Sequence, residues 1–286
     1  MLILRRIKET RAYSRTSRAR GETVALVPTM GFLHNGHLSL IRTARDLADR
    51  VIVSIFVNPT QFGPNEDFER YPRDLARDKR LCEAEGVDAI FLPEASEMYP
   101  DGHATFVDVD GPLTVNLCAA SRPGHFRGVA TVVTKLFNIC EPDVAVFGQK
   151  DAQQAAVIRR FTADLDLPVR IVVAPIVRED DGLAMSSRNV YLSDEERVQA
   201  RSLNASLQKA REIFASGERD GAVILEAVKK AVASQPLARL EYVELVDHSS
   251  LEPIRIIEKP ALLAVAARFG TTRLIDNTLL PPQTGN

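Results

Sequence analysis

Two histidines bracket a glycine at His34-Asn35-Gly36-His37, directly downstream of an apolar run. Imidazoles at such a turn can donate hydrogen bonds to phosphate oxygens and stabilise charge moving from an α-phosphate to departing pyrophosphate. Gly36 would let a phosphate approach the backbone closely. A helix cap plus a surface polar residue accounts equally for two histidines, and a four-residue motif does not decide by itself. Three further patterns carry related chemistry. In Gly148-Gln149-Lys150-Asp151 an ammonium is offered to phosphate charge, with Gln154 one turn further on. Met185-Ser186-Ser187-Arg188 ends a charged loop with two hydroxyls and a guanidinium, donors that grip phosphate oxygens, and Gly182 would let that loop close over a nucleotide. Gln61 both donates and accepts, which suits a substrate bearing hydroxyl and carboxylate groups. Surface or helix-face roles are the alternatives at each of these positions.

Such groups have to be aimed, and the flanking sequence supplies the means. Val24 to Val27 is apolar, stops at Pro28-Thr29, turns through Gly31 and restarts with helical spacing at His37, Leu40, Ile41, Ala44, Leu47 and Ala48. That predicts strand, tight turn and helix, with the histidines where orphan backbone N–H groups and the helix dipole favour anions. Asp143 to Phe147 likewise runs into Gly148 and a helix from Asp151 to about Leu165. Two such junctions in one parallel sheet reinforce each other.

Val51–Asn58, Val87–Pro93 and Val169–Val177 predict further buried strands, and Gln61 follows the end of the first of these. Thr105–Asp110 alternates and predicts a short edge strand. Arg122 to Gly128 sets two arginines and a histidine among turn formers and predicts an anion-facing loop ahead of a helix at Val129–Cys140. Asp74 is a candidate helix cap or a neighbour of a metal-bound nucleotide. Beyond Ser193 the pattern changes. A capping box, Ser193 with Glu196, opens one long amphipathic helix to Gly217, then come a helix at Asp220–Ser234 and strands at Leu240–Asp247 and Ala261–Phe269. The predicted class is therefore α/β. A Rossmann-like parallel-sheet nucleotide-binding domain spans residues 1–177, and a smaller α+β C-terminal domain spans 178–286, with the Met185–Arg188 loop at the junction and a frayed tail from Pro281.

Composition bounds the possibilities. With 286 residues, 45% of them hydrophobic and 26% charged, the chain can bury a large core. A net charge of −2 gives no electrostatic footprint for nucleic acid, and the basic first twenty residues read as a solvated helix face. Three cysteines without a CxxC pattern argue against a disulfide frame or zinc site and fit a reduced cytoplasm. No run of about 18 apolar residues and no secretion signal is present, so no membrane partner is expected.

Taken in order, the HxGH turn, Phe56-Val57-Asn58-Pro59-Thr60-Gln61-Phe62, Arg122-Pro123-Gly124-His125-Phe126-Arg127-Gly128, Phe147-Gly148-Gln149-Lys150-Asp151 and Met185-Ser186-Ser187-Arg188-Asn189 closely resemble the pantothenate synthetase (pantoate–beta-alanine ligase) family from about Val24 to Leu280. This family belongs to the nucleotidyltransferase-like HxGH group, and Met185–Arg188 looks like its counterpart of the KMSKS loop, with Arg188 where synthetases usually carry lysine. The resemblance implies that ATP with Mg2+ activates (R)-pantoate to a pantoyl adenylate, which the amine of beta-alanine then attacks. It implies an ATP site at Met30, Gly31, Phe32, Leu33, His34, Asn35, Gly36 and His37, completed by Gly148, Gln149, Lys150, Asp151, Val177, Met185, Ser186, Ser187 and Arg188. Catalytic roles are implied for His37, His34, Lys150 and Arg188, and contacts to pantoate and beta-alanine for Gln61 and Gln154. Metal ligands stay open, and a cytoplasmic homodimer acting on small molecules is implied. Another adenylyl transfer on this fold, or a silent nucleotide-binding protein, would keep HxGH. The first leaves the two glutamines unexplained, and the second is disfavoured by the intact His34, His37, Lys150 and Arg188.

Overall fold

The computed structural model describes residues 1–64 and 66–281, and the tail expected to fray lies outside them beyond Pro281. Two units divide the chain: residues 1–110, 122–149 and 157–176 form the first, and residues 111–121, 150–156 and everything from Val177 onward form the second.

In the first unit the apolar, β-branched runs become strands covered on both faces. Val24 to Val27, Val51 to Val53 and Ala89 to Phe91 are all 0% exposed, the pattern of a parallel sheet between helical layers. The strands are β1 (Leu2–Leu4), β2 (Val24–Thr29), β3 (Arg50–Ile55), β4 (Ala89–Phe91), β5 (Val144–Gly148) and β6 (Arg170–Ala174), all parallel in the order β1-β4-β3-β2-β5-β6. In chain order the helices are α1 (Ile7–Ala19), α2 (Asn35–Leu47), α3 (Leu75–Ala84), α4 (Ala95–Met98), α5 (Cys118–Ser121), which belongs to the second unit, α6 (His125–Cys140) and α7 (Ala152–Asp164), which begins in the second unit and ends in the first. Leu38, Ile41 and Ala44 of α2 pack on Ala25, Val27, Val51 and Val53, while α1 and α6 pack on each other and on β2. The strand order reverses at β2, with β3 on one side and β5 on the other. In an open parallel sheet the crevice at the carboxyl ends of two such strands is the ligand site.

One expectation is corrected here. Thr105–Asp110 forms no strand; it runs along α6, where Val107 N donates to Thr131 Oγ1 at 3.0 Å. The edges are β6 and β1, the latter too short to show a period in sequence and paired Leu2 to Ala89. The basic face of α1 is exposed as expected, and on it Arg15 reaches Glu141 at 2.9 Å and Arg18 reaches Asp143 at 2.8 Å.

The second unit builds on the antiparallel sheet β7 (Ala238–Asp247), β8 (Ala261–Phe269) and β9 (Thr272–Leu280), covered by α8 (Asp194–Ala200), α9 (Ser202–Ala215) and α10 (Gly221–Ala233). Leu203, Leu207, Ile224 and Val228 meet Leu263, Val265 and Leu274 in its core. Ser193 does open the helix with a reciprocal box, accepting from Glu196 N at 3.2 Å and donating to Glu196 Oε2 at 2.8 Å. The single long helix predicted there is divided at Arg201 into α8 and α9, although that residue keeps helical angles (φ −59°, ψ −21°). Strand β9 is not evident in the sequence because Arg273, Asp276 and Asn277 break its apolar pattern. Among the described residues no helix is long and apolar enough to cross a membrane.

Candidate active site

The turn leaving β2 is held by a carboxylate far along the chain. Phe32 N and Leu33 N donate to Asp78 Oδ2 and Oδ1 of α3 at 2.8 and 2.7 Å. Gly31 (φ 83°) and Phe32 (φ 49°) take the left-handed conformation needed to present those N–H groups. At Gly31 a Cβ would sit 3.0 Å from Asp78 Oδ2 and from Ile55 Cγ2, so the position accepts only glycine without displacement. Burial pushes the Asp78 carboxyl above its ordinary range, and the two N–H bonds oppose that rise. The tightened turn delivers His34 as the N-cap of α2. His34 N donates to His37 Nδ1 at 3.3 Å, and the two rings stack with centroids 4.0 Å apart. A backbone donor on Nδ1 puts the proton of a neutral His37 ring on Nε2, leaving that nitrogen a donor. Met30 to His37 are thus brought together at one strand end.

Gln61 lies in the 3₁₀ turn Pro59–Gln61 that follows β3. Its Oε1 accepts from Asn58 Nδ2 at 3.1 Å, and its Nε2 lies 3.3 Å from Met30 Sδ, so it joins the HxGH segment. Asn58, 1% exposed, also bonds Gly128 O at 3.2 Å and accepts from Tyr99 OH at 2.8 Å. Gly128 of α6 presses so closely on this turn that a Cβ would lie 2.4 Å from Thr60 O.

The Arg122–Gly128 segment corrects a further expectation. Its helix begins at His125, and the anion Arg122 meets is internal: Nε and Nη2 both reach Glu66 at 2.6 Å. His125 Nδ1 lies 2.8 Å from Gln61 O and Nε2 lies 2.9 Å from Arg122 Nη1. A carbonyl only accepts and a guanidinium only donates, so this ring is neutral with its proton on Nδ1. Burial works to raise the Glu66 carboxyl, but Arg122 brings it net below its ordinary value. The segment therefore supports Gln61 through its main chain.

After β5, Gly148 and Gln149 close the first unit's strand end, and Lys150 and Asp151 open α7 in the second unit. Two glutamines follow with different fates. Gln153, 5% exposed, spends its amide on Leu113 O, Asn116 O and Cys118 N, each at 2.9 Å. Gln154, about 100° around the helix, is half-buried.

In the second unit Val177 to Arg188 forms a closed loop. Met185 N donates to Val177 O at 3.0 Å and Glu179 N to Leu183 O at 2.8 Å. Ion pairs brace it: Arg178 to Asp276 at 2.7 Å, and Arg197 to Glu179 at 2.5 Å and Asp181 at 2.9 Å. Ser186 caps the short 3₁₀ turn Ser187–Tyr191 by accepting from Arg188 N at 3.2 Å, and Ser187 is buried. Asp74 is the cap of α3, accepting from Arg77 N at 2.9 Å. Among the described residues no three His, Cys, Asp or Glu side chains gather as a metal site. Sequence reasoning missed Asp78, Glu66, Asp276 and Asn277, whose partners lie far along the chain and leave no local pattern, and it quoted Asn58 within its motif without a role.

A parallel sheet whose order reverses between two strands that each feed a glycine turn and a helix defines a nucleotide-binding protein of the Rossmann-like class. The sequence profile of pantoate-beta-alanine ligases matches residues 2–279. The pantothenate synthetases of Pelotomaculum thermopropionicum and Thermotoga petrophila are 57% and 55% identical over 280 residues, covering 98% of this chain and 99% and 100% of theirs. The crystal structure of pantothenate synthetase from Thermus thermophilus superposes with a TM-score of 0.92 at 47% identity, covering 97% of this chain and 99% of that one. Pantoate-beta-alanine ligase from Francisella tularensis, crystallised in complex with beta-gamma ATP and beta-alanine, gives 0.79 at 36% identity over 98% and 97% of the two chains. The chain belongs to the pantoate–beta-alanine ligase family.

Proposed function

We propose that the protein condenses (R)-pantoate with beta-alanine, using ATP and releasing AMP and pyrophosphate through an enzyme-bound pantoyl adenylate, as a step of pantothenate and coenzyme A biosynthesis. The match to the ligase family over residues 2–279 carries this conclusion. The chemistry agrees with the residues. A carboxylate is a poor electrophile. Its oxygen attacks the α-phosphorus, the α–β anhydride bond breaks, and the resulting acyl phosphate anhydride has a good leaving group. The amine then attacks the acyl carbon and the bond to AMP breaks. No side-chain nucleophile is needed, in keeping with three buried thiols, of which Cys82 is pushed up to about 12 by burial.

The side chains position and stabilise. His37 Nε2–H and His34 donate to the phosphates, with Met30 to Gly36 as the surrounding ATP segment. Lys150 and Arg188 offset charge on the departing pyrophosphate, with Gly148, Gln149, Asp151, Val177, Met185, Ser186 and Ser187 completing the nucleotide contacts. Gln61 and Gln154 hold the hydroxyls and carboxylate of pantoate, Gln61 also bordering beta-alanine, the ligand named for the Francisella relative. Mg2+ would enter with ATP as the MgATP substrate and offset phosphate charge there. The working form is a homodimer in the cytoplasm, a compartment that suits buried free cysteines.

Pantoate labelled with 18O in its carboxylate tests the route. One labelled oxygen should appear in AMP and none in pyrophosphate. Label in inorganic phosphate, with ADP as co-product, would instead mean an acyl phosphate and overturn the adenylate.

A further inference from the structure

Asp276 and Asn277 are neighbours on β9, 2% and 4% exposed, in a strand whose flanking Leu274 and Leu280 belong to the apolar core of the second unit. Burying a carboxylate and an amide side by side is costly unless each is fully bonded, and apolar residues would serve a core strand better. Alternation along the strand sends the two side chains to opposite faces. Asp276 takes Arg178 in a bidentate pair, Oδ2 from Nη1 at 2.7 Å and Oδ1 from Nη2 at 3.1 Å, and accepts Asn277 N at 2.8 Å. Arg178 Nη1 also donates to Gly182 O at 3.2 Å, which closes the Val177–Arg188 loop on itself. Asn277 Nδ2 donates to the main-chain carbonyl of Lys150 at 2.9 Å. One strand thus grips the loop ending in Arg188 with one residue and the turn carrying Lys150 with the next, all within the second unit.

We propose that Asp276 and Asn277 are positioning residues that fix the Lys150 turn and the Val177–Arg188 loop relative to each other for the adenylation half-reaction. This rests on the assignment of Lys150 and Arg188 to the nucleotide phosphates. Neither residue touches substrate; Asp276 acts through Arg178, and Asn277 through the Lys150 backbone. Because the two cations meet charge that develops on pyrophosphate, a small displacement of either should slow adenylate formation and leave attack of the amine on finished adenylate untouched.

The experiment measures both half-reactions separately in the full-length protein: adenylate formation from MgATP and pantoate in a single turnover, and amide formation from supplied pantoyl adenylate with beta-alanine. Asn277→Ala and Asp276→Asn should each slow adenylate formation by roughly tenfold to a hundredfold, with amide formation within about twofold of wild type. In an Arg178→Met background, adding Asp276→Asn should cost less than about twofold more. Parallel loss of both half-reactions, or no loss in either, overturns the proposal. Asn277→Ala removes no charge, so it carries the test if Asp276→Asn does not fold. A wild-type protein that forms no adenylate from pantoate would instead overturn the assigned reaction, a result distinct from failure of the positioning role.

Discussion

The turn at residues 30–37 and the loop at residues 177–188 both end in groups suited to phosphate, yet they are held by different bonds. In the first unit two backbone N–H groups enter one carboxylate, Asp78, which is 1% exposed, and the left-handed pair Gly31 and Phe32 makes that geometry possible. In the second unit guanidinium–carboxylate pairs form a mesh, and Arg197 and Glu179 within it keep 33% and 25% of their side-chain surface. A buried acceptor that fixes the main chain leaves little freedom and feels little salt, whereas the Arg197 pairs, a quarter to a third exposed, are weaker and screened, and of the carboxylates bracing the loop Asp276 alone is as buried as Asp78.

The largest effects should come from the side chains at the tips of these segments. His37→Ala and Lys150→Ala are each expected to lower adenylate formation by roughly two orders of magnitude or more, the usual consequence of losing a transition-state donor, measured as pyrophosphate release in a single turnover. Near-normal release in either variant would remove that residue from the chemistry.

Asp78→Ala should then destabilise the first unit by roughly 2–4 kcal/mol, since it leaves two buried N–H groups without their acceptor. Hydrogen exchange should rise at residues 30–37 and stay unchanged at 178–189. Titration of Asp78 itself carries a definite sign: its carboxyl lies above the ordinary value in the fold, so its contribution is most favourable at low pH and is lost as pH rises through the folded pKa. Glu66 has the opposite sign. Its folded pKa is below the ordinary 4.5, so the Arg122–Glu66 contribution is present above that value and disappears as pH falls through the folded pKa. Glu66→Gln should flatten this acid limb of a chemical-denaturation series and raise the KM for pantoate several-fold by loosening the support of Gln61. An unchanged acid limb would detach Glu66 from that support.

The smallest effect is expected from Arg197→Gln, which removes the partner of Glu179 and Asp181 on the loop. Stability should change by about 1 kcal/mol or less. Exchange should rise at residues 178–189 alone, the reverse of the Asp78 pattern, and a uniform rise in both segments would erase the contrast between them.

How much of this is legible in the sequence follows from the range of each interaction. The β2–α2 and β5–α7 junctions, the Asp74 cap and the Ser193 box are written within a few residues, where periodicity and capping chemistry act. Asp78, one helical turn beyond Asp74, gives no signal because its partners lie 45 and 46 positions away. Arg122 reads correctly as anion-seeking, but its sequence neighbours do not reveal that Glu66 satisfies it. Strand β9 is hidden by the two buried polar residues proposed to position the loop, and β1 by being three residues long. Local chemistry announces where the candidate site is, and the long-range bonds that aim it become visible only with the fold.

The central claim, reversible adenylation of a carboxylate, is tested most directly by exchange of radiolabelled pyrophosphate into ATP with Mg2+ present, adding pantoate and beta-alanine separately. Exchange that requires pantoate and proceeds without beta-alanine is the predicted result. Tight ATP binding with no pantoate-dependent exchange would contradict the account.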